Sequence, residues 1–123
     1  MAYDPSNIFA RILRGEIPCR KIAEDAYFLA FHDVNPRASV HALVIPKGAF
    51  TDAQDFHQNA SNDEMIGFYK GVAQVVDMLG VHDAGFRQIS NCGANGGQEV
   101  PHYHIHILGG RKLGPMVGAI HVE

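Results

Sequence analysis

The segment Pro101-His102-Tyr103-His104-Ile105-His106-Ile107-Leu108-Gly109-Gly110 alternates three histidines with apolar residues and stops on two glycines. Strict alternation is the pattern of a half-buried strand, so His102, His104 and His106 share one face while Tyr103, Ile105 and Ile107 take the other. At a rise of about 3.3 Å per residue, successive histidines stand roughly 7 Å apart. Three chemistries compete for such a row. Zinc often takes two histidines from positions i and i+2 of a strand, but one small ion with short Zn–N bonds cannot easily draw in all three, and a further ligand has to come from elsewhere. A solvated histidine-rich strand is the bland alternative, and it sits badly with titrating side chains set against a core. The third chemistry, which we favour, uses one imidazole as a nucleophile near neutral pH while its neighbours orient it, share its proton or stabilise charge.

A sheet and a core must position those histidines. Ser6 followed by Ile8, Phe9, Ile12 and Leu13 predicts a short helix capped by Ser6 and stopped by Gly15 and Pro18. Strands over 20–23, 27–32 and 40–45, with a turn at Asp33-Val34-Asn35-Pro36-Arg37, read as an antiparallel meander in which His41 interrupts an apolar run. A polar linker carrying His57 leads to the capping box Ser61-Asn62-Asp63-Glu64, after which Met65, Phe68, Tyr69, Val72, Val75, Val76 and Leu79 keep helical spacing up to Gly80. Phe86 to Ser90 is a further strand. Next comes Asn91-Cys92-Gly93-Ala94-Asn95-Gly96-Gly97-Gln98, which matches neither the Walker A pattern nor G-x-G-x-x-G. Its backbone N–H groups could approach an oxyanion closely, or it could simply be a hairpin turn. The segment from Arg111 onward has no readable pattern. The expected architecture is α+β: a five-stranded antiparallel sheet with one short N-terminal helix and one long helix, as a single domain over 1–123.

Composition narrows the partners. The chain has 123 residues, 46% apolar and 19% charged, and a net charge of -3, which offers no cationic surface for nucleic acid or acidic lipid. Cys19 and Cys92 lack C-x-x-C spacing, and the N-terminal residues lack the apolar run of a signal peptide or membrane span. A cytoplasmic protein with neither nucleic-acid nor membrane partners is expected.

The stretch His102-Tyr103-His104-Ile105-His106-Ile107-Leu108 fits the His-φ-His-φ-His-φ-φ motif, and the chain resembles the histidine triad (HIT) superfamily. Ile8-Phe9 with Ile12, Glu16-Ile17-Pro18, Ala30-Phe31-His32-Asp33, His41-Ala42-Leu43-Val44-Ile45-Pro46-Lys47, Gly96-Gly97-Gln98 and Leu108-Gly109-Gly110-Arg111 are similar, in order, to the branch of histidine triad nucleotide-binding proteins. This resemblance implies a purine nucleoside phosphoramidate hydrolase acting on adenosine-type 5′-monophosphates joined to an amine, aminoacyl adenylates included. By similarity, His104 attacks the α-phosphorus to form a nucleotidyl-histidine that water hydrolyses. His106 contacts the phosphoryl group and helps manage protons, while His102 and His41 hold tautomers. Asn91 and the backbone of Gly97 match phosphate contacts, Asp33 matches the ribose-binding acid, and Ile8, Phe9, Ile12, Ile17, Phe31 and Val34 match the wall of the base pocket. Glu99 stands where many relatives carry a hydroxyl residue; it either points to solvent with its N–H still in use or favours cationic amine leaving groups. The C-terminal tail, which tunes substrate choice in this branch, lacks tryptophan here. A homodimer is implied and no cofactor is required, although zinc could bind the histidine cluster without serving the chemistry. Two other functions stay open: a nucleotide-binding interaction protein with incidental turnover, and a dinucleoside polyphosphate hydrolase using the same nucleophile.

Overall fold

A computed structural model describes residues 2–118. Alternation of apolar side chains lets each strand face two layers at once, and this is how the sheet is built. Strands β1 (Lys21–Glu24), β2 (Phe28–His32), β3 (Val40–Pro46), β4 (Arg87–Ile89) and β5 (Ile105–Gly109) form one sheet in the order β1-β2-β3-β5-β4, with every neighbouring pair antiparallel. The expected meander is β1 to β3. Phe28, Ala30, Ala42, Val44, Ile105 and Ile107 turn to one side, where they meet Phe68, Val72, Val75 and Val76. Leu29, Phe31, Leu43 and Ile45 turn to the other and meet Phe9 and Ile12. The histidines belong to this second, thinner layer.

Among the described residues, three helices cover the sheet: α1 (Ile8–Leu13), α2 (Ala53–Asn59) and α3 (Asn62–Leu79). In α3 both arms of the capping box are made by Ser61 and Glu64, and Gly80 ends the helix in the left-handed region at φ 67°. The helix lies close to β2 because Gly71 has no Cβ; one built there would fall 2.3 Å from the Phe28 ring.

Three details depart from the sequence reading. The cap of α1 is Asn7, whose side chain accepts the Ala10 N–H, while the Ser6 hydroxyl is spent on Asp4 Oδ1 at 2.6 Å. The linker around His57 is helix α2, started by Asp52, which accepts the Asp55 N–H, and pinned by the fully buried Phe56. The sheet therefore carries three helices where two were expected. Strand β5 begins only at Ile105, so His102 and His104 lie in the approach to it and not in the ladder. The reason is local: the Tyr103 N–H donates to the Phe50 carbonyl at 2.7 Å, and Pro46, the residue of β3 that the register would set opposite Tyr103, has no N–H to give. Side-chain alternation nevertheless persists through the approach. Tyr103 packs with Ile105 and Ile107 in the helix-side core, and its hydroxyl meets that of Tyr69 at 3.1 Å. Residues 111–118 contain no helix or strand, and His121 lies outside the described residues. Among the described residues, no helix is long and apolar enough to cross a membrane.

Candidate active site

The antiparallel register of β3 and β5 sets Leu43 opposite His106 and His41 opposite Leu108. His41 and His106 thus lie diagonally on one face, and His41 Nε2 is 2.9 Å from His106 Nδ1. Proton positions follow from the backbone. The Arg37 N–H donates to His41 Nδ1 at 3.0 Å, so neutral His41 carries its proton on Nε2. That Nε2–H donates to His106 Nδ1, and Asp33 Oδ2 lies 3.3 Å from the same nitrogen. His106 is left with its own proton on Nε2.

The other two histidines are fixed in the same way. A carbonyl can only accept, so the 2.7 Å contact between His104 Nδ1 and the His102 carbonyl places the His104 proton on Nδ1 and leaves the Nε2 lone pair free. His102 donates from Nε2 to the Pro46 carbonyl at 2.9 Å, and its Nδ1 accepts the Tyr3 hydroxyl at 2.6 Å. Phe9 packs edge-on against His104, with ring centroids 5.0 Å apart and planes at 88°.

Burial keeps all four rings neutral. His102 is completely excluded from solvent, which pulls its pKa down to about 4 against a weaker opposing effect of the Pro46 carbonyl. Burial also lowers His106 to about 4, helped by the neighbouring His104 and His41. His41 and His104 are held below the ordinary imidazole value chiefly by burial, while Asp33 pulls each of them back up.

His104 and His106 open onto a cavity of about 350 Å³. Its apolar wall includes Ile8, Phe9, Ile12, Ile17, Phe31 and Val34, and its polar lining includes Asp33, Asn91, Gly97 and Glu99. Every residue expected to bind nucleotide is therefore brought to one cavity, though not all in the same manner. Phe9 and Phe31 are also core residues, whereas Val34 is 86% exposed and forms part of the rim. His102 and His41 stand behind the lining. One Asp33 oxygen already accepts the Asn35 N–H at 2.8 Å. The Gly97 N–H is engaged by the Ala94 carbonyl at 3.1 Å, so any anion contact at this N–H has to be shared.

Other contributors had no signal strong enough to single them out. Gln98 rivets the glycine-rich loop: its side-chain oxygen accepts the Gly93 N–H, and its nitrogen donates to the carbonyls of Thr51 and Val100. Arg37, Cys19 and His32 line the cavity. Tyr3 reaches His102 across 99 residues of sequence. Among the described residues, those that could hold a metal ion are Asp33, His41 and His106, each with one ligand atom within 4.8 Å of the others. Folding thus supplies the carboxylate that the sequence around the histidines does not.

Comparison with known proteins follows the same outline. The HIT domain profile matches residues 14–113. An uncharacterised HIT-like protein of Azospirillum brasilense is 54% identical over 94% of this chain and 94% of its own length. The purine nucleoside phosphoramidase of Escherichia coli K12 is 39% identical over 89% of this chain and 92% of its own. Among solved structures, a histidine triad protein from Clostridium difficile superposes with a TM-score of 0.80 at 39% identity, covering 94% of this chain and 100% of the other. A HIT family hydrolase from Clostridium thermocellum gives 0.81 at 37% identity, covering 91% and 96%.

Proposed function

The chain belongs to the HIT family, and from that membership we propose that it is a purine nucleoside phosphoramidate hydrolase with His104 as its nucleophile. The observation that carries the reading is the commitment of the His104 Nδ1–H to a backbone carbonyl, which leaves Nε2 unprotonated beside a cavity in the size range of small-molecule sites. In the first step the Nε2 lone pair bonds to the α-phosphorus, the P–N bond to the amine breaks, and the amine leaves with a proton drawn from water. In the second step a water oxygen bonds to phosphorus, the Nε2–P bond breaks, and a proton is released to solvent. One amine and one nucleoside monophosphate result for each water consumed.

The protein's own groups meet the charges of this sequence. The positive charge on the modified His104 ring is stabilised by its Nδ1–H on the His102 carbonyl. His106 presents its Nε2–H to the non-bridging phosphoryl oxygens, and Asn91 lies on the phosphate side. The apolar wall receives the base, and Asp33 accepts ribose hydroxyls through the lone pairs that Asn35 leaves free.

A specific observation favours one other reading. The Asp33, His41 and His106 cluster has the donor set for an ion that would support hydrolysis by a metal-activated water. Hydrolysis of an adenosine 5′-phosphoramidate bearing a fluorescent amine, with and without chelator, separates the two. The expected result is chelator-insensitive turnover that His104→Ala lowers by roughly 10⁴-fold. Nucleotide binding without turnover by the native chain would make this a binding protein, and turnover lost with chelator would move the chemistry to the ion.

A further inference from the structure

We propose that Tyr3 is a positioning residue for His104, acting through His102 from the far N-terminal end of the chain. The inference rests on the reading of His104 as the nucleophile. Tyr3 Oη lies 2.6 Å from His102 Nδ1, and the two rings meet edge to face at 5.7 Å and 72°. The direction of this bond is settled by the far side of the ring. His102 Nε2 faces the Pro46 carbonyl, which only accepts, so the ring proton is there and Nδ1 has a lone pair to offer the phenol. Both nitrogens of a completely buried imidazole are thereby occupied, and the ring has one orientation open to it.

That orientation matters because of what the same residue does with its backbone. The His102 carbonyl accepts the His104 Nδ1–H at 2.7 Å and so decides which His104 nitrogen holds the lone pair. A clamp on the His102 side chain is therefore a clamp on the peptide that sets the nucleophile's tautomer. Tyr3 is itself held in place by the turn that follows it. Asn7 donates from its side chain to the Asp4 carbonyl at 2.7 Å, the Ser6 N–H and hydroxyl both bond Asp4 Oδ1, and Arg14 donates to the Pro5 carbonyl at 2.8 Å. Two residues beyond Asn7, Phe9 packs against both His102 and His104. The segment from Tyr3 to Phe9 thus approaches the pair from two directions, with the tyrosine on the buried ring and the phenylalanine on the reactive one.

Removal of the hydroxyl leaves a buried imidazole nitrogen without its donor while the aromatic ring stays in place, so Tyr3→Phe isolates the contact. Net hydrogen-bond contributions imply a kcat lower by roughly three- to tenfold with KM within about twofold, because no substrate contact is lost. The second readout is independent of turnover. Two-bond ¹H–¹⁵N correlation of labelled histidines at pH 7 should show the His102 Nδ1 resonance moving toward that of an acceptor without a donor, and the His104 Nδ1–H proton exchanging faster with solvent. A merely structural role would lower the melting temperature and leave the His104 signals as they are. Native kcat together with native His104 signals in Tyr3→Phe would overturn the proposal. An inactive native chain would instead refute the hydrolase reading, and the His104 signals alone would then decide whether Tyr3 sets that tautomer.

Discussion

Three of the four histidines of the site meet a partner that admits only one proton position: the Pro46 carbonyl for His102, the His102 carbonyl for His104 and the Arg37 N–H for His41. His106 inherits its tautomer from His41. A nucleophilic imidazole has to be neutral, so the acid limb of kcat/KM reports the His104 ring of the free protein. Burial depresses that ring, and the limb is expected below the ordinary imidazole value of about 6.5. Glu99 opposes the depression, because a carboxylate on the same cavity favours the imidazolium. Glu99→Ser should therefore move the limb to still lower pH, and it should also reduce any preference for amines with a second positive charge. Rate profiles from pH 4 to 9 on a neutral and a cationic leaving group test both effects; an unmoved limb with unchanged preference would assign Glu99 to solvent. Sequence alone exposed the three alternating histidines and His41 because their types are rare inside apolar runs. It could not expose Tyr3, since a tyrosine near a chain end has no periodic partner and the contact is made only after the whole sheet has formed.

At the level of elements, the legible parts were those in which local and long-range signals agree. The capping box and the apolar stripe of α3 both mark one helix, and β2 and β3 are aromatic or β-branched runs bounded by turn residues. Helix α2 was missed because seven residues with a single fully buried anchor, Phe56, give no periodicity to count. The early end of the β5 ladder was hidden for a related reason: alternation reports which way side chains point, not where backbone hydrogen bonds go, and the Tyr103 N–H goes to Phe50. The seating of α3 yields a test with two competing magnitudes. Alanine gains about 1 kcal/mol over glycine inside a helix, whereas overpacking a core costs about 1–3 kcal/mol. At Gly71 the new methyl would meet the Phe28 ring, which is 1% exposed and has nowhere to move, so Gly71→Ala should be destabilising by on the order of 1 kcal/mol. At Gly67 the new methyl would fall 2.3 Å from Tyr27 Cγ and 2.7 Å from Tyr27 Cβ, an atom that no side-chain rotation moves, so Gly67→Ala should be destabilising as well. Urea unfolding of both variants beside Lys70→Ala, at an exposed position of α3, distinguishes a close seat at the two glycines from a general intolerance of α3 to alanine, which would lower all three alike.

For the molecule as a whole, the same burial that keeps the imidazoles neutral ties folding to pH. An ordinary histidine in the unfolded chain takes its proton near pH 6.5, whereas folded His102 does so only near pH 4. Between those values the unfolded state binds more protons than the folded state, and stability must therefore rise with pH across the window and fall as pH drops through it. Well above pH 6.5 both states are neutral and the contribution is flat. His102 alone accounts for a loss of about 2 kcal/mol between pH 7 and pH 5. His106, depressed to a similar value, adds to it in the same direction. Carboxylates work over a lower range: Glu24 and Asp55 are held below their usual values by Lys47 and by the Thr51 N–H, so what they contribute is lost only as pH falls toward and through those lowered values. The loss of stability between pH 7 and pH 5 is thus a histidine signature. Urea midpoints measured at half-unit intervals should fall steadily from about pH 6.5 toward pH 4, with the early slope reduced by roughly half or less in a His102→Asn variant that still folds at pH 7, since His106 keeps its own share. A native curve that stays flat down to pH 5 would mean that these rings take up protons without unfolding, and the neutral array from which attack by His104 is derived would then not persist in mild acid.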